Sequence, residues 1–110
     1  MVELADRSCE RIEADVEPME TMDAADMADQ IPEWAVSDDL LEREIELDGF
    51  AEAMEFANEV ARLAIEEDHH PRMCIDYDIV ELSLTTHRIG GLSMNDFIMA
   101  AKIDRLLARS

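Results

Sequence analysis

The sequence predicts an α+β fold: a two-layer domain in which helices pack on one face of a four-stranded antiparallel sheet, in the order α-β-β-α-β-β-α. Residues 50–64 repeat apolar side chains with the 3.6-residue period of a helix. Residues 41–47 and 76–87 alternate between two sets of side chains with the two-residue period of strands. Strands on both sides of one helix favour an antiparallel sheet that is covered on one face.

The length and composition of the chain are those of a single domain. At 110 residues and 48% hydrophobic content, the chain can bury one core of its own. We expect residues 1–17 to be a loosely ordered N-terminal arm, because they lack a sustained apolar face, and residues 18–110 to form one domain. We also expect a cytoplasmic protein, since no run reaches the roughly 18 apolar residues of a membrane span and the first residues lack a secretory layout.

The chain is strongly acidic. It carries 28 Asp and Glu residues against 9 Lys and Arg residues, a net charge of −19. Direct nucleic-acid binding is therefore disfavoured, because it depends on basic side chains that displace the counterions of the phosphates. The charge fits a solvated surface, and a docking patch for a basic partner on residues 1–48 is the alternative. Cys9 and Cys74 are too few for a disulfide framework, and we expect both to be reduced.

The N-terminal half predicts one helix and two strands. A helix is expected over residues 18–31, and Pro32 ends it. Two strands are expected around a turn at residues 37–39, and Trp34 is expected to contribute to the core. Arg43 is unusual, because it falls among the apolar positions of the second strand.

The long helix is the clearest element of the sequence. Asp48 can cap it, and it must end before Pro71, because a proline disfavours the helical region for the residue ahead of it. The predicted apolar stripe of this helix is Phe50, Ala53, Met54, Ala57, Val60, Ala61 and Ala64.

Residues 76–87 have the pattern of one long strand or two short ones, and the predicted order takes them as part of a strand pair. The face that we expect to be buried consists of Val80, Leu82 and Leu84. Tyr77 is also expected to pack in the core, as most aromatic side chains do. Residues 90–91 predict a glycine turn, and Ser93 with Asp96 three residues later predicts the capped start of a last helix.

The three histidines are the candidates for chemistry. His69 and His70 fall at the C-terminal end of the long helix, and His87 falls at the end of a strand. One interpretation of the adjacent pair is a favourable interaction with the helix dipole. Metal binding is disfavoured, because neighbouring helical residues point about 100° apart and neither cysteine is well placed. The third interpretation is acid/base chemistry, since imidazole exchanges protons near neutral pH and the end of the helix and the end of the strand can converge on one cleft.

The spacing of these residues resembles the signature of a known family. The motif HHP at residues 69–71 is followed by Tyr77, His87 and Asp96 at intervals similar to those of the pterin-4a-carbinolamine dehydratases. Three longer segments also resemble the N-terminal, central and C-terminal parts of family members. They are LADRSCERIEADVEPMETMDAADMADQIPEW, LEREIELDGFAEAMEFANEVARLA and TTHRIGGLSMNDFIMAAKID. The resemblance therefore covers nearly the whole chain.

The resemblance implies that residues 18–110 dehydrate 4a-hydroxytetrahydropterin to quinonoid dihydropterin and water, a hydro-lyase reaction that supports tetrahydrobiopterin recycling. It implies a homodimer or homotetramer, a functional link to an aromatic amino acid hydroxylase, and no cofactor, since the pterin is the substrate. The implied catalytic residues are His69, His70 and His87. The implied substrate-binding residues are Asp68, His69, His70, Thr85, Thr86, His87, Arg88 and Asp96. No metal ligand is implied.

Ile65 departs from the family pattern, which has a charged side chain four residues before the first histidine. A partner that could orient His69 from one helical turn away is therefore missing, and Glu66 or Glu67 is a candidate substitute. This departure favours the alternative function, a non-catalytic family member that acts as an oligomeric protein-binding or assembly factor. The presence of all three histidines favours the enzyme.

Overall fold

The computed structural model describes residues 3–13, 17–19, 21–37 and 39–108. Its elements are 3-10 turns at Leu4–Asp6 and His87–Ile89, helices α1 (Thr21–Ala28), α2 (Phe50–Glu67) and α3 (Met94–Ala108), and strands β1 (Ala35–Val36), β2 (Leu41–Glu46), β3 (Arg72–Asp76) and β4 (Ile79–Leu84). The strands form one antiparallel sheet in the order β1-β2-β4-β3, which confirms the predicted α+β class. None of the helices in these ranges has an apolar stretch long enough to cross a membrane.

The core lies between the sheet and helices α2 and α3. The buried side chains of the two central strands are Leu41, Ile45, Val80, Leu82 and Leu84. Helix α3 adds Phe97, Ile98, Met99 and Ile103 to the same cluster. The other face of the sheet exposes Glu42, Glu44, Glu46 and Glu81. The predicted alternation thus sorts apolar side chains toward the helices and carboxylates toward solvent.

Arg43 has a partly buried partner on α3, which accounts for its place among the apolar residues of β2. Its guanidinium Nη1 donates to Asp104 Oδ1 at 2.6 Å, and the Trp34 indole Nε1 donates to the same oxygen at 2.8 Å. Burial raises the pKa of Asp104, although both hydrogen bonds act in the opposite direction. Trp34 is buried, as expected. The arginine therefore connects the sheet to α3.

Helix α2 begins one residue later than a cap at Asp48 requires. Its N-cap is Gly49, which has no side chain to accept a hydrogen bond, so the predicted cap is wrong. The buried residues of the helix are Ala53, Phe56, Ala57, Val60 and Ala64. Four of these belong to the predicted stripe and Phe56 does not, while Phe50 at the first helical position is 53% exposed.

Tyr77 lies in the tight turn between β3 and β4. Asp76 pairs with Ile79, so only Tyr77 and Asp78 connect the two strands. Tyr77 has a φ of 52° and is 68% exposed. The prediction that it packs in the core is wrong, because its position belongs to a two-residue hairpin loop and not to a strand face.

The N-terminal residues 3–6 and 9–10 contact α3. Leu4 is 1% exposed and belongs to the core cluster. Arg105 of α3 forms ion pairs with Glu3 and Asp6 at 3.3 and 2.7 Å. Other parts of the predicted arm, residues 1–2 and 14–16, lie outside the described residues. The division of the chain at residue 17 stays a prediction.

Gly91 contacts Pro18, a residue that lies shortly before the start of α1. The Met19 N–H donates to Leu92 O at 2.7 Å, which brings this segment onto the loop that precedes α3. A Cβ atom at position 91 would lie 2.8 Å from the Cβ of Pro18. The contact therefore depends on the absence of a side chain at Gly91.

Replacing Gly91 by alanine should lower the free energy of unfolding by about 1–3 kcal/mol, because the added methyl group overpacks the contact with Pro18. Urea denaturation measures this change. Pro18→Gly in the Gly91→Ala background removes the obstructing ring, so the two changes should be less destabilising together than their sum. Strictly additive effects would show that Pro18 does not limit position 91.

Candidate active site

One cleft of about 570 Å³ opens where the end of α2, the segment after β4 and residues 9–12 meet. The predicted site residues that line it are Asp68, His69, His70, Thr85, Thr86, His87 and Arg88. A second groove of similar volume lies between residues 3–5 and the end of α3, and none of the predicted site residues lines it. The three imidazoles of the chain therefore share one cleft.

The end of α2 brings the first two histidines to this cleft. Asp68 is the C-cap of the helix, with a left-handed φ of 54°, and its N–H still bonds to carbonyls of the last turn. The His69 N–H then bonds to Ala64 O at 3.2 Å. His69 and His70 consequently follow the helix end, as predicted, and are not side by side on a regular helix.

The segment after β4 brings the third histidine. The Thr86 N–H donates to Gly91 O at 2.9 Å and closes a short loop. His87 begins a 3-10 turn within this loop, and Gly90 ends it in the left-handed region with a φ of 69°. The prediction that His87 ends a strand is wrong, because β4 stops at Leu84 and the chain has already turned. His87 is exposed at the edge of the cleft.

His69 is held by a buried carboxylate. Its Nε2 lies 2.6 Å from Asp96 Oδ1, and the two side chains are 12% and 0% exposed. The other oxygen, Asp96 Oδ2, accepts hydrogen bonds from the Thr86 hydroxyl at 2.8 Å and from the Ser93 N–H at 2.9 Å. Asp96 therefore caps the start of α3, as predicted, and also orients His69, using a separate oxygen for each task.

The donors in this network follow from proton counting. An ionised carboxylate only accepts hydrogen bonds, so Nε2 of His69 carries a proton and Nδ1 is the nitrogen without a bond to Asp96. Thr86 has one hydroxyl proton, which it donates to Asp96. The 2.7 Å contact between the hydroxyls of Thr86 and Ser93 therefore has Ser93 as its donor.

His70 and His87 differ from His69 in their surroundings. Both are exposed, and neither imidazole forms a hydrogen bond or ion pair within the part of the chain that the structure describes. In the same ranges, no three His, Cys, Asp or Glu side chains are grouped as metal ligands. The cleft thus has one fixed, nearly buried imidazole and two imidazoles in contact with solvent.

The departure at Ile65 does not leave His69 without an orienting group. Ile65 is 72% exposed and does not line the cleft. The suggestion that Glu66 or Glu67 replaces the missing partner is wrong, since Asp96 takes that place and Glu67 is used elsewhere. The Glu67 carboxylate accepts a hydrogen bond from the Cys9 N–H at 2.7 Å and lies 3.1 Å from Lys102 Nζ.

Glu67 is ionised in a nearly buried position. Burial on its own would raise the pKa of Glu67, but the hydrogen bond from the Cys9 N–H and the Lys102 ammonium outweigh it, so its pKa is lowered. Burial and the neighbouring Glu67 carboxylate raise the pKa of the Cys9 thiol to about 12. Cys9 is therefore a neutral thiol at this edge of the cleft.

Sequence reasoning missed the N-terminal side of the cleft. The lining residues that it did not assign to catalysis or substrate binding are Cys9, Glu10, Arg11, Ile12, Glu67 and Asn95. Residues 9–12 have no hydrophobic period, so the single sequence carries no local signal that they pack against a site. The only sequence-level indication was that the family resemblance extends into this segment.

Comparison with known proteins decides the family. The model of the family described as "Pterin 4 alpha carbinolamine dehydratase" matches residues 17–106. The chain belongs to this family. Proteins of Nitrosomonas eutropha and Halorhodospira halophila, both assigned by name to pterin-4-alpha-carbinolamine dehydratase, are 41% and 39% identical to it. These alignments cover 96% and 94% of this chain and 94% and 96% of the two relatives.

A solved structure shows the same fold. The protein described as "transcriptional coactivator/pterin dehydratase" from Brucella melitensis matches with a TM-score of 0.77. The match covers 82% of this chain and 98% of that one at 23% sequence identity. The solved structure supports the fold, and the match to the family model and the two relatives confirms the resemblance inferred from the histidine spacing: the chain is a member of a family of dehydratases, which are hydro-lyases.

Asp96→Ala should lower the free energy of unfolding of this family member by about 3–5 kcal/mol, because His69, Thr86 and Ser93 all lose a buried acceptor. Asp96→Asn should be milder, since an amide oxygen can still accept from Thr86 and Ser93. Its NH₂ group would then face Nε2 and move the imidazole proton to Nδ1. Nitrogen-15 shifts of His69 report this change, and an unchanged tautomer would contradict the assigned donor.

The lowered pKa of Glu67 predicts how its contribution to stability depends on pH. The folded state holds this proton less tightly than the unfolded chain, so the contribution is complete above the unfolded pKa of about 4.3. It is lost as the pH falls through the lower folded value. The stability difference between the wild type and Glu67→Gln should therefore shrink between pH 6 and pH 3, as measured by urea unfolding. Glu66→Gln, a change at the exposed neighbouring carboxylate, is the matched control.

Proposed function

We propose that this protein dehydrates 4a-hydroxytetrahydropterin to quinonoid dihydropterin and water by acid/base catalysis with histidines. The observation that carries the proposal is the convergence of His69, His70 and His87 on one cleft in a member of this family. The cleft, at about 570 Å³, lies within the usual range of small-molecule sites. It is therefore large enough for a bicyclic pterin.

The reaction needs two proton transfers and no change of oxidation state. The hydroxyl on carbon 4a leaves as water once it is protonated, and the ring nitrogen beside it loses a proton as the new double bond forms. One group must donate a proton and another must accept one, and each well-positioned transfer contributes about 10²–10⁴ in rate. Imidazoles suit both tasks because they titrate near neutral pH.

The proposed roles follow from the different surroundings of the histidines. The Asp96 carboxylate, 2.6 Å from Nε2, stabilises the positive charge that His69 gains when it accepts a proton. We therefore assign His69 as the base that acts through Nδ1. His70 and His87 are exposed and exchange protons with solvent, so they are the candidates for protonating the departing hydroxyl.

The hydroxyls of Thr85 and Thr86 cannot donate a hydrogen bond to the substrate, because both already donate within the protein. The Thr86 hydroxyl donates to Asp96, and the Thr85 hydroxyl donates to Asp39 O at 2.6 Å. Neither hydroxyl proton is left for a ligand, so their side chains can only accept from it. The proposed pterin contacts at residues 85–88 are accordingly the backbone and the Arg88 guanidinium, and Asp68 at the end of α2 is a further proposed contact.

The wider setting of the reaction belongs to the same proposal. A dehydratase of this specificity would act in tetrahydrobiopterin recycling beside an aromatic amino acid hydroxylase, as a homodimer or homotetramer in the cytoplasm. The pterin would be its substrate, and no further cofactor is needed for a dehydration.

The direct test is the rate of dehydration of 4a-hydroxytetrahydropterin, followed by the absorbance of the quinonoid product. His87→Ala should lower kcat by about 10²–10⁴ if this imidazole transfers a proton. His69→Ala with His87→Ala should reduce the rate to that of the uncatalysed reaction. Glu59→Ala, a change on α2 outside the cleft, is the matched control. A wild-type rate no higher than background would contradict the proposal.

A further inference from the structure

Residues 9–12, here called the strap, cross one side of the cleft, and all four line it. Side chains of two helices hold the strap by its backbone. The Cys9 N–H donates to Glu67 Oε1 at 2.7 Å. Asn95 accepts the Glu10 N–H at 2.9 Å and donates its own amide to Glu10 O at 2.5 Å. Three hydrogen bonds thus fix two consecutive residues of a segment that has no regular secondary structure.

The two side chains that hold the strap are themselves nearly buried. Asn95 is 6% exposed and uses both atoms of its amide on a single residue of the strap. The Glu67 side chain is 9% exposed and divides its oxygens between the strap and Lys102, the only lysine of the chain. A buried carboxylate that is paired on both oxygens has little freedom to release the strap.

The positions of these two residues tie the strap to the proposed catalytic pair. Glu67 precedes His69 by two residues at the end of α2, and Asn95 directly precedes Asp96 at the start of α3. The same two helix ends therefore carry both the His69–Asp96 contact and the attachment of the strap. Any shift of the strap relative to His69 would require Glu67 or Asn95 to lose a partner.

We propose that the strap is a substrate-contacting wall of the cleft, and that Glu67 and Asn95 are positioning residues that hold it in place. This inference rests on the proposed function, because it concerns the same site and the same pterin. A strap that only stabilised the fold would affect unfolding without affecting how the pterin binds. The two cases are separable by the accessibility of Cys9 and by kinetics.

The accessibility of Cys9 reports the strap directly. In a Cys74→Ser background Cys9 is the only thiol, and its alkylation by iodoacetamide at pH 8 should be slow, because little thiolate forms in its half-buried position beside the Glu67 carboxylate. A saturating stable dihydropterin should slow the reaction by a further factor of about five or more if the strap contacts the ligand. Asn95→Ala should accelerate it by about tenfold or more, because Glu10 loses both of its hydrogen bonds to Asn95 while the Glu67 carboxylate, which raises the pKa of the Cys9 thiol, is retained.

Kinetics separate positioning from chemistry. Glu67→Leu and Asn95→Ala should each raise KM for the carbinolamine by about tenfold while kcat stays within about threefold of the wild type. Glu67→Gln retains an acceptor for the Cys9 N–H and should recover most of the lost affinity. Glu66→Leu changes the neighbouring exposed carboxylate and is the control. If Glu67→Leu does not fold, Asn95→Ala and the protection of Cys9 in the Cys74→Ser protein decide.

The outcomes distinguish failure of this inference from failure of the proposed function. If the wild type dehydrates the carbinolamine but the KM of both variants is unchanged, the strap is not a substrate wall and the dehydratase proposal stands. The same holds if the dihydropterin leaves Cys9 alkylation unaffected in an active enzyme. If the wild type shows neither dehydration nor protection of Cys9, both proposals are wrong.

Discussion

The buried carboxylate of Asp96 is the constraint on which the rest of this structure depends. A charge that is removed from water must be fully hydrogen-bonded, and here the end of α2, the segment after β4 and the start of α3 each supply one partner. These three points of the fold cannot move independently without leaving the charge unpaired. The position of His69 is therefore set by the same interaction that starts α3.

The sequence predicted what local interactions decide. The stripe of α2, the alternation of β2 and the capped start of α3 depend on neighbours a few residues apart, and each has a recognisable pattern. Tyr77 was misplaced because an alternating strand pattern does not reveal where a two-residue hairpin interrupts it. The spacing of the histidines located the cleft only through resemblance to a family.

The remainder of the site depends on contacts between residues that are distant in sequence. His69 and Asp96 are 27 positions apart, Cys9 and Glu67 are 58 apart, and Glu10 and Asn95 are 85 apart. Nothing in the local composition of any of these residues names its partner. Asp96 could be assigned to a helix cap from sequence, but the contacts of its carboxylate with His69 and Thr86 could not.

Three of the few basic residues in this acidic chain connect other parts of the fold to α3. Arg43, Lys102 and Arg105 join β2, α2 and the N-terminal residues, respectively, to α3 through carboxylate partners. The Arg105 pairs are partly exposed and screened by salt, whereas the Lys102 pair is nearly buried and screened much less. Residues 3–6 are thus attached to α3 by exposed ion pairs, whereas the strap is attached through the nearly buried Glu67 carboxylate. A rise in ionic strength should weaken the attachment of residues 3–6 before it affects the strap. The more salt-resistant attachment is therefore the one beside the cleft.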